Sequence, residues 1–214
     1  DLISQATALA MSSKFGVGNS SFRTESGVTK YTDTVPFPAY TRKIIEKVGL
    51  YDEELVRNQD DEYNYRIREA GGRILLAEDV KSEYFSRGSL RKLWKQYFQY
   101  GYWKVRVLQK HPRQMSPRQF VPLGFVLGLI LTSLLSLFTP WGWQTLLALA
   151  VVYLAANLTA SMITAWGKGC KKMALLPLAF GIIHLSYGLG FLAGLFKFRN
   201  RWRDKKGLVP DWQP

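Results

Sequence analysis

Acidic residues are nearly missing from the second part of this 214-residue chain. Residues 89–214 contain 17 lysines and arginines but only 2 acidic residues, whereas residues 1–88 contain 12 basic and 14 acidic residues. The formal net charge of +13 therefore comes from the second part alone. A division this sharp indicates two regions with different surroundings rather than one uniformly basic domain.

Cysteine is also scarce, because Cys170 is the only one in the sequence. A single cysteine excludes a disulfide within the chain and a metal site built from several thiolates. The apolar content of 47% excludes a disordered polymer. No secretory signal is visible, and the first residue is Asp1, so we expect the true start of the polypeptide to lie upstream.

The second part contains three long runs without charge, at residues 121–138, 145–165 and 174–196. An α-helix rises about 1.5 Å per residue, so each run is long enough for roughly 30 Å of hydrocarbon. The first two are predicted to span a membrane. The third is interrupted by Pro177, His184 and several glycines, which leaves a span, a kinked span or a re-entrant segment open.

Lysines and arginines near the runs predict the orientation. Basic residues precede the first run and follow the second, whereas the connection PWGWQ is uncharged. We therefore predict a multi-pass protein of the cell membrane with residues 1–120 on the cytoplasmic side. Three crossings would place the basic stretch KFRNRWRDKK outside, against the rule, so the third run is expected to enter and return or to lie partly in the interface.

Residues 1–88 have the pattern of a soluble α/β region. Thr41 is a predicted N-cap for a helix over 42–48, and Gly49 is its stop. The acidic stretch RNQDDEYNYR, residues 57–66, opens a second helix. Residues 74–77 and 80–85 are predicted to be short strands.

The acidic helix places its carboxylates on different faces. At 100° per residue, Asp60 shares a stripe with Tyr63 and Ile67, which predicts that it points inward. Glu62 falls on another stripe, where it is expected to face solvent and pair with Arg66. Carboxylates at a helix start also complement the helix dipole, but this does not explain a carboxylate on the inward stripe.

Three stretches carry a family resemblance. QDDEYNYRIREAGGRI, TDTVPFPAYTRKIIEKVGLYDEELVRNQDDE and SLRKLWKQYFQYGYWK resemble the membrane-bound, succinoglycan-type family-two glycosyltransferases of the GT-A fold. The resemblance implies that residues 1–88 form the C-terminal half of a GT-A-like α/β catalytic domain. An amphipathic interface helix with its linker (89–118), an all-α transmembrane region (119–198) and a basic tail (199–214) are expected to follow.

The same resemblance implies the chemistry. It assigns Asp60 as the catalytic base of an inverting sugar transfer, with Asp61 as the alternative, and it places Gln59 where the family has a glutamate. It suggests substrate contacts for Gln59 and three further residues, which are Asn19, Arg87 and Gln96. Expected partners are a nucleotide-sugar donor, a lipid-linked glycan acceptor, membrane lipids and other polysaccharide-assembly proteins.

The resemblance also implies a divalent metal, Mg or Mn, on the donor diphosphate. No Asp-x-Asp motif occurs in the sequence, so the metal ligands are expected to lie mostly outside this chain. As a fragment without the donor half, the chain is expected to be inactive on its own, and no metal ligand is assigned to it.

In the stretch 89–110, apolar residues recur at helical spacing, and basic residues lie between them. This pattern is typical of a helix that lies on an anionic membrane surface, with Lys104 and Arg106 among the basic residues expected to face the lipid. A core helix with a solvated basic face is the alternative. A non-catalytic membrane anchor or assembly protein is therefore the alternative function. Nucleic-acid binding is not expected, because the same charges flank two membrane runs.

Overall fold

The computed structural model describes residues 1–18, 28–82, 84–86, 88–167 and 170–204. Within these ranges the chain is mostly helical. In chain order, the elements are α1 Leu2–Met11, α2 Lys14–Val17, β1 Lys30–Thr32, α3 Arg42–Val48, α4 Gln59–Glu69, β2 Ile74–Leu76, α5 Leu90–Lys110, α6 Val121–Ser136, α7 Pro140–Ala165 and α8 Cys170–Lys197. Short 3₁₀ turns occupy Pro112–Gln114, Pro117–Phe120 and Arg199–Arg201.

Strands are few in the described part of the chain. β1 and β2 form an antiparallel pair in which Tyr31 lies opposite Leu75. The strand predicted at 74–77 is confirmed, but the strand predicted at 80–85 is not found in the described residues of that stretch. There the side chains of Val80 and Phe85 are 77% and 84% exposed, so both lie on the surface and not in a core. The α/β sheet of a GT-A fold is thus not confirmed by these two short strands.

Local sequence signals explain the helices of the first part. Thr41 Oγ1 accepts a hydrogen bond from the amide of Ile44 (3.3 Å), and Gly49 ends α3 with φ +83°, so the predicted bounds of this helix are confirmed. α4 follows Asn58, which has φ 65°, and its first turn contains three carboxylates. Tyr63 and Ile67 of α4 pack with β2 in a small buried cluster.

Three helical stretches are long and apolar enough to cross a membrane: Pro117–Ser136, Pro140–Ala165 and Ala174–Lys197. The first two of the uncharged apolar runs form helices, as expected. α8 is a single helix that continues through Pro177, so the prediction that the third run turns back within the membrane is wrong. A re-entrant segment needs a break in the helix, and the proline lies in the helix interior without ending it.

α5 is a helix, as predicted, but much of it is not a free amphipathic surface. Its first turns expose Arg91, Lys92 and Lys95. Lys104 and Arg106, by contrast, are only 3% and 0% exposed. The prediction that they face anionic lipid is therefore wrong, because the acidic segment before and within α4 covers this side of the helix and pairs with them.

Candidate functional site

A cavity of about 690 Å³ lies between the first turn of α4 and the helices α6, α7 and α8. The charged and polar part of its lining, here called the charged end, consists of Lys14, Asp33, Asn58, Asp60, Asp61, Arg68, Lys104 and Arg118. The part from α6, α7 and α8, here called the apolar end, includes Phe125, Leu149, Val152, Tyr153, Ala156 and Ile183. The space therefore joins a charged region to an apolar region between helices that could cross a membrane.

Asp60 and Asp61 stand side by side at the charged end. Both belong to the first turn of α4, and Asp60 Oδ1 accepts a hydrogen bond from the amide of Asp61 (2.9 Å). Asp61 forms an ion pair with Lys104, whose side chain is 3% exposed. The site thus presents two neighbouring carboxylates, and that of Asp61 is paired with a buried ammonium group.

The exposure of the Glu62 side chain differs from the prediction. It is buried, at 1% exposure, although the helical stripes place it on the side predicted to face solvent. The predicted pair with Arg66 is confirmed (2.7 Å), and His111 Nε2 adds a second contact (2.9 Å). Burial opposes ionisation of Glu62, but the contacts with His111 and Arg66 outweigh it and lower its pKa.

Arg66 extends this contact to the backbone. Its guanidinium donates to the carbonyls of Val48 and Leu50, each at 2.8 Å. Because Glu62 pairs with Arg66 and touches His111 after α5, one buried carboxylate connects α4 to the end of α3 and to α5. Glu62 therefore has a structural role in holding the first turn of α4 in place.

A second group of ion pairs was not predicted from the sequence. Glu54 accepts two hydrogen bonds from Arg106, at 2.8 Å and 3.0 Å, and lies 2.6 Å from Lys110 Nζ. Asp52 also pairs with Lys110, and Arg201 pairs with Glu54. Burial of Glu54 opposes ionisation, but hydrogen bonds from Arg106 and Lys110 outweigh it and lower its pKa. The excess of acid in the first part and of base in α5 was the only signal for these pairs.

The other predicted site residues lie in different places. Gln59 begins α4 and is partly exposed, but it does not line the cavity. Gln96 is buried outside the cavity, and its Nε2 donates to the hydroxyls of Tyr84 (3.1 Å) and Tyr100 (3.0 Å). Asn19 and Arg87 lie outside the described residues.

Sequence reasoning missed several lining residues. Arg118 approaches Asp33 to 3.7 Å at the charged end, where α2 also places Lys14. In the sequence, Arg118 is recognisable only as one of the basic residues that precede the first apolar run. No local pattern indicated that it would lie beside a loop residue 85 positions earlier, because such a contact depends on the packing of distant elements.

The apolar end contains a hydrogen-bonded chain. His184 Nε2 lies 2.9 Å from the carbonyl oxygen of Phe15, so this nitrogen carries the hydrogen, because a carbonyl only accepts. Nδ1 then accepts from the Tyr153 hydroxyl (3.1 Å). Asn157 Nδ2 donates to the carbonyl of Pro177 (3.0 Å) and lies 3.4 Å from the Tyr153 hydroxyl. These bonds attach α7 and α8 to the backbone of α2 at the cavity wall.

The implied divalent metal does not fit the described residues on their own. Within the described ranges, no group of three or more histidine, cysteine, aspartate and glutamate side chains could hold a metal ion. Asp61 is moreover paired with Lys104, whose positive charge opposes a cation at the same oxygen.

Comparisons with known proteins support the resemblance. The chain is 31% identical over 197 residues to "Succinoglycan biosynthesis protein ExoA" of Rhizobium meliloti (strain 1021), with 92% of this chain and 58% of that protein covered. It is 25% identical over 171 residues to a "Dolichyl N-acetyl-alpha-D-glucosaminyl phosphate 3-beta-D-2,3-diacetamido-2,3-dideoxy-beta-D-glucuronosyltransferase" of Methanococcus voltae, covering 78% of this chain and 48% of that protein.

No family model matches the chain, and no solved structure does. The chain spans about half the length of the curated relatives that it matches. Both relatives nevertheless align with most of the chain, including part of the apolar helical region. The resemblance drawn from the sequence is thereby confirmed, and over most of its length the chain belongs with the family-two glycosyltransferases of the exopolysaccharide type.

Proposed function

We propose that this chain forms the acceptor-binding part of an inverting glycosyltransferase that moves a sugar from a nucleotide donor to a lipid-linked glycan in polysaccharide biosynthesis. The observation that carries the proposal is the cavity, which joins the carboxylates of α4 to the apolar surface between α6 and α7. A lipid-linked glycan has the same two-part character. Its polar portion matches the charged end, and its hydrocarbon matches the apolar end.

Asp60 is the proposed base. It removes the proton from the acceptor hydroxyl while the hydroxyl oxygen attacks the anomeric carbon, and the bond from that carbon to the nucleoside diphosphate breaks on the opposite face. One carboxylate is enough for this reaction. Asp60 is preferred to Asp61 because the family resemblance matches Asp60 to the catalytic base, while Asp61 pairs with Lys104. We assign Asp61 to the orientation of the turn that presents Asp60.

Lys14 and Arg118 are the proposed contacts for the phosphate groups of the acceptor. Both line the charged end of the cavity, and cations at this place favour phosphate over a neutral sugar. Phe125, Val152 and Ala156 would then contact the hydrocarbon chain. In this arrangement the acceptor extends from the membrane region toward Asp60.

We further propose that the donor is bound with a divalent metal whose ligands lie mostly outside this chain, and that the chain alone does not transfer sugar. The protein is proposed to be a multi-pass membrane protein, with residues 1–120 on the cytoplasmic side, where nucleotide sugars are available.

The direct test compares Asp60→Asn and Asp61→Asn in the complete natural protein in membranes. Transfer is measured from a panel of radiolabelled uridine-diphosphate sugars to the lipid of native membranes. We expect Asp60→Asn to lower the rate by roughly 10²- to 10⁴-fold, the usual contribution of a general base. Asp61→Asn should lower it less.

Asp79→Asn is the matched control, because Asp79 is exposed and does not line the cavity. Equal membrane insertion of all three variants shows that the loss is not a folding defect. An undiminished rate for Asp60→Asn removes Asp60 as the base. If neither the natural protein nor any variant transfers sugar from any donor, the alternative of a non-catalytic membrane anchor or assembly protein is favoured. In that case the exposed Arg91, Lys92 and Lys95 would supply the lipid contacts.

A further inference from the structure

The first half of α8 is held by the N-terminal segment and by α5. Phe180 packs edge to face on Phe15, with ring centroids 5.0 Å apart. Leu176 lies in the same buried cluster as Met11 of α1 and Leu93 near the start of α5. The beginning of this apolar helix is therefore attached to parts of the chain that lie outside the apolar runs.

The end of α8 is attached to the same part of the protein. The carbonyl of Phe198 accepts a hydrogen bond from Gln109 Nε2 near the end of α5 (2.8 Å). Three residues further on, Arg201 pairs with Glu54 of the acidic segment. The buried ion pairs that hold the end of α5 thus also hold the residues just beyond α8.

Between these two attachments, α8 runs beside α5 in the same direction. A methyl group placed on Gly190 would lie 2.0 Å from the carbonyl oxygen of Phe98, and one on Gly194 would lie 2.5 Å from that of Tyr102. Contacts that advance four residues on one helix advance four on the other, which is the signature of a parallel pair. The glycines let the two backbones touch.

The opposite side of α5 faces the acidic segment. Asn58 Nδ2 donates to the carbonyl of Tyr100, and Arg57 Nε donates to Gln99, each at 3.1 Å. Toward the end of α5, Lys104 and Arg106 form their ion pairs. Toward its start, Arg91, Lys92 and Lys95 are exposed. Ionised groups in the first turns of α5 and in its last turns make a position of this helix within hydrocarbon costly.

A helix that crosses the bilayer has its ends separated by about 30 Å of hydrocarbon. The two ends of α8 both contact α5 and its neighbours, and α5 cannot itself enter the hydrocarbon. We therefore propose that α8 lies along the cytoplasmic surface of the membrane beneath α5, so that only α6 and α7 cross. Leu178 and Phe196, which are 50% and 65% exposed, would then insert into the lipid.

This topology resolves the charge conflict of a three-span arrangement. With α8 in the interface, Lys197, Arg199 and Arg201 remain on the cytoplasmic side, as basic residues near membrane segments prefer. The tip of the α6–α7 hairpin, with Trp141 and Trp143, lies on the other side, where tryptophan suits the interface. The inference concerns topology and does not depend on the proposed catalytic role of Asp60.

The test is cysteine labelling of the complete protein in sealed membrane vesicles of both orientations, with a membrane-impermeant maleimide as the probe. Cys170→Ser removes the cysteine of this chain, and single cysteines then replace Lys43 in α3, Phe138 in the hairpin tip or Arg199. All three positions are exposed. We expect cysteines at positions 43 and 199 to react from the same side and a cysteine at position 138 to react from the opposite side.

Labelling of positions 199 and 138 from the same side would overturn the proposal. Labelling of positions 43 and 138 from the same side would also overturn it, because the hairpin would then not cross. A second readout avoids substitution altogether: a fluorescent protein fused after residue 214 fluoresces only in the cytoplasm, and a phosphatase fused there is active only outside. Fluorescence without phosphatase activity is expected, and the reverse contradicts the topology.

Discussion

Lys104, buried in α5, forms an ion pair with Asp61, the neighbour of Asp60 in the first turn of α4. The pair connects residues 43 positions apart and joins the carboxylates to the helix that packs on α8. Gln114 Nε2 also donates to the carbonyl of Asp61 (2.9 Å). The position of the carboxylates thus depends on α5 and the segment that follows it.

Lys104→Met should therefore disturb the site beyond the loss of one charge. The variant leaves Asp61 beside an apolar side chain without its ammonium partner, which costs about 1–3 kcal/mol because Asp61 keeps part of its exposure to solvent. We expect a lower thermal unfolding midpoint of the detergent-solubilised protein, followed by tryptophan fluorescence. Adding Asp61→Asn should recover part of the loss, and simple additivity of the two effects would contradict a coupled pair.

The buried carboxylates of Glu54 and Glu62 predict an acid-sensitive fold. In the folded protein their pKa values lie below the ordinary value of 4.5, so their ion pairs stabilise the protein fully above about pH 4.5. This stabilisation is lost as the pH falls through the lower folded-state values. Unfolding midpoints measured from pH 6 to pH 3 should drop steeply at the acid end.

Glu54→Gln should flatten this dependence and lower the midpoint at neutral pH, since Arg106 and Lys110 lose their common partner. Glu46→Gln is the matched control, because Glu46 is exposed on α3 and makes no described ion pair. A Glu54 variant that keeps the full acid dependence of the natural protein would show that other carboxylates dominate it.

The sequence predicted those features whose cause is local. The bounds of α3 follow from the cap of Thr41 and the glycine at position 49, and α6 and α7 follow from unbroken apolar runs. The burial of Glu62 could not be predicted, because periodicity divides a helix into faces but does not say which face another element covers. The ion pairs of Lys104 and Arg106 could not be predicted for the same reason, because their partners lie 43 and 52 residues earlier in the sequence.

The close contact between α5 and α8 gives a steric prediction. Gly190→Leu would push α8 away from Phe98, since even a methyl group at this position lies 2.0 Å from its carbonyl oxygen. We expect a large loss of folded protein on size-exclusion chromatography in detergent. Gly124→Leu in α6 is the control, because nothing lies within 4 Å of a methyl group there. Equal yields of folded protein from both variants would contradict the close packing.

His184 is predicted to act on acceptor binding through the backbone of Phe15. It donates to the Phe15 carbonyl from one ring nitrogen and accepts from Tyr153 at the other, so it fixes the wall formed by α2 near Lys14. His184→Phe keeps an aromatic ring against Phe15 and Phe180 but removes both hydrogen bonds. A lost hydrogen bond costs about 0.5–1.5 kcal/mol, so the KM for the lipid acceptor should rise by roughly 3- to 10-fold.

The matched variant is His184→Gln, whose amide nitrogen reaches about as far as Nε2 and can still donate to the Phe15 carbonyl. It should restore most of the acceptor KM, while the KM for the nucleotide sugar stays unchanged in both variants. A purely structural role would instead reduce the amount of folded protein and leave both KM values of the surviving enzyme unaltered. The prediction concerns the cavity wall at Phe15. A fall in kcat with constant acceptor KM would therefore contradict it and indicate a direct effect on the base.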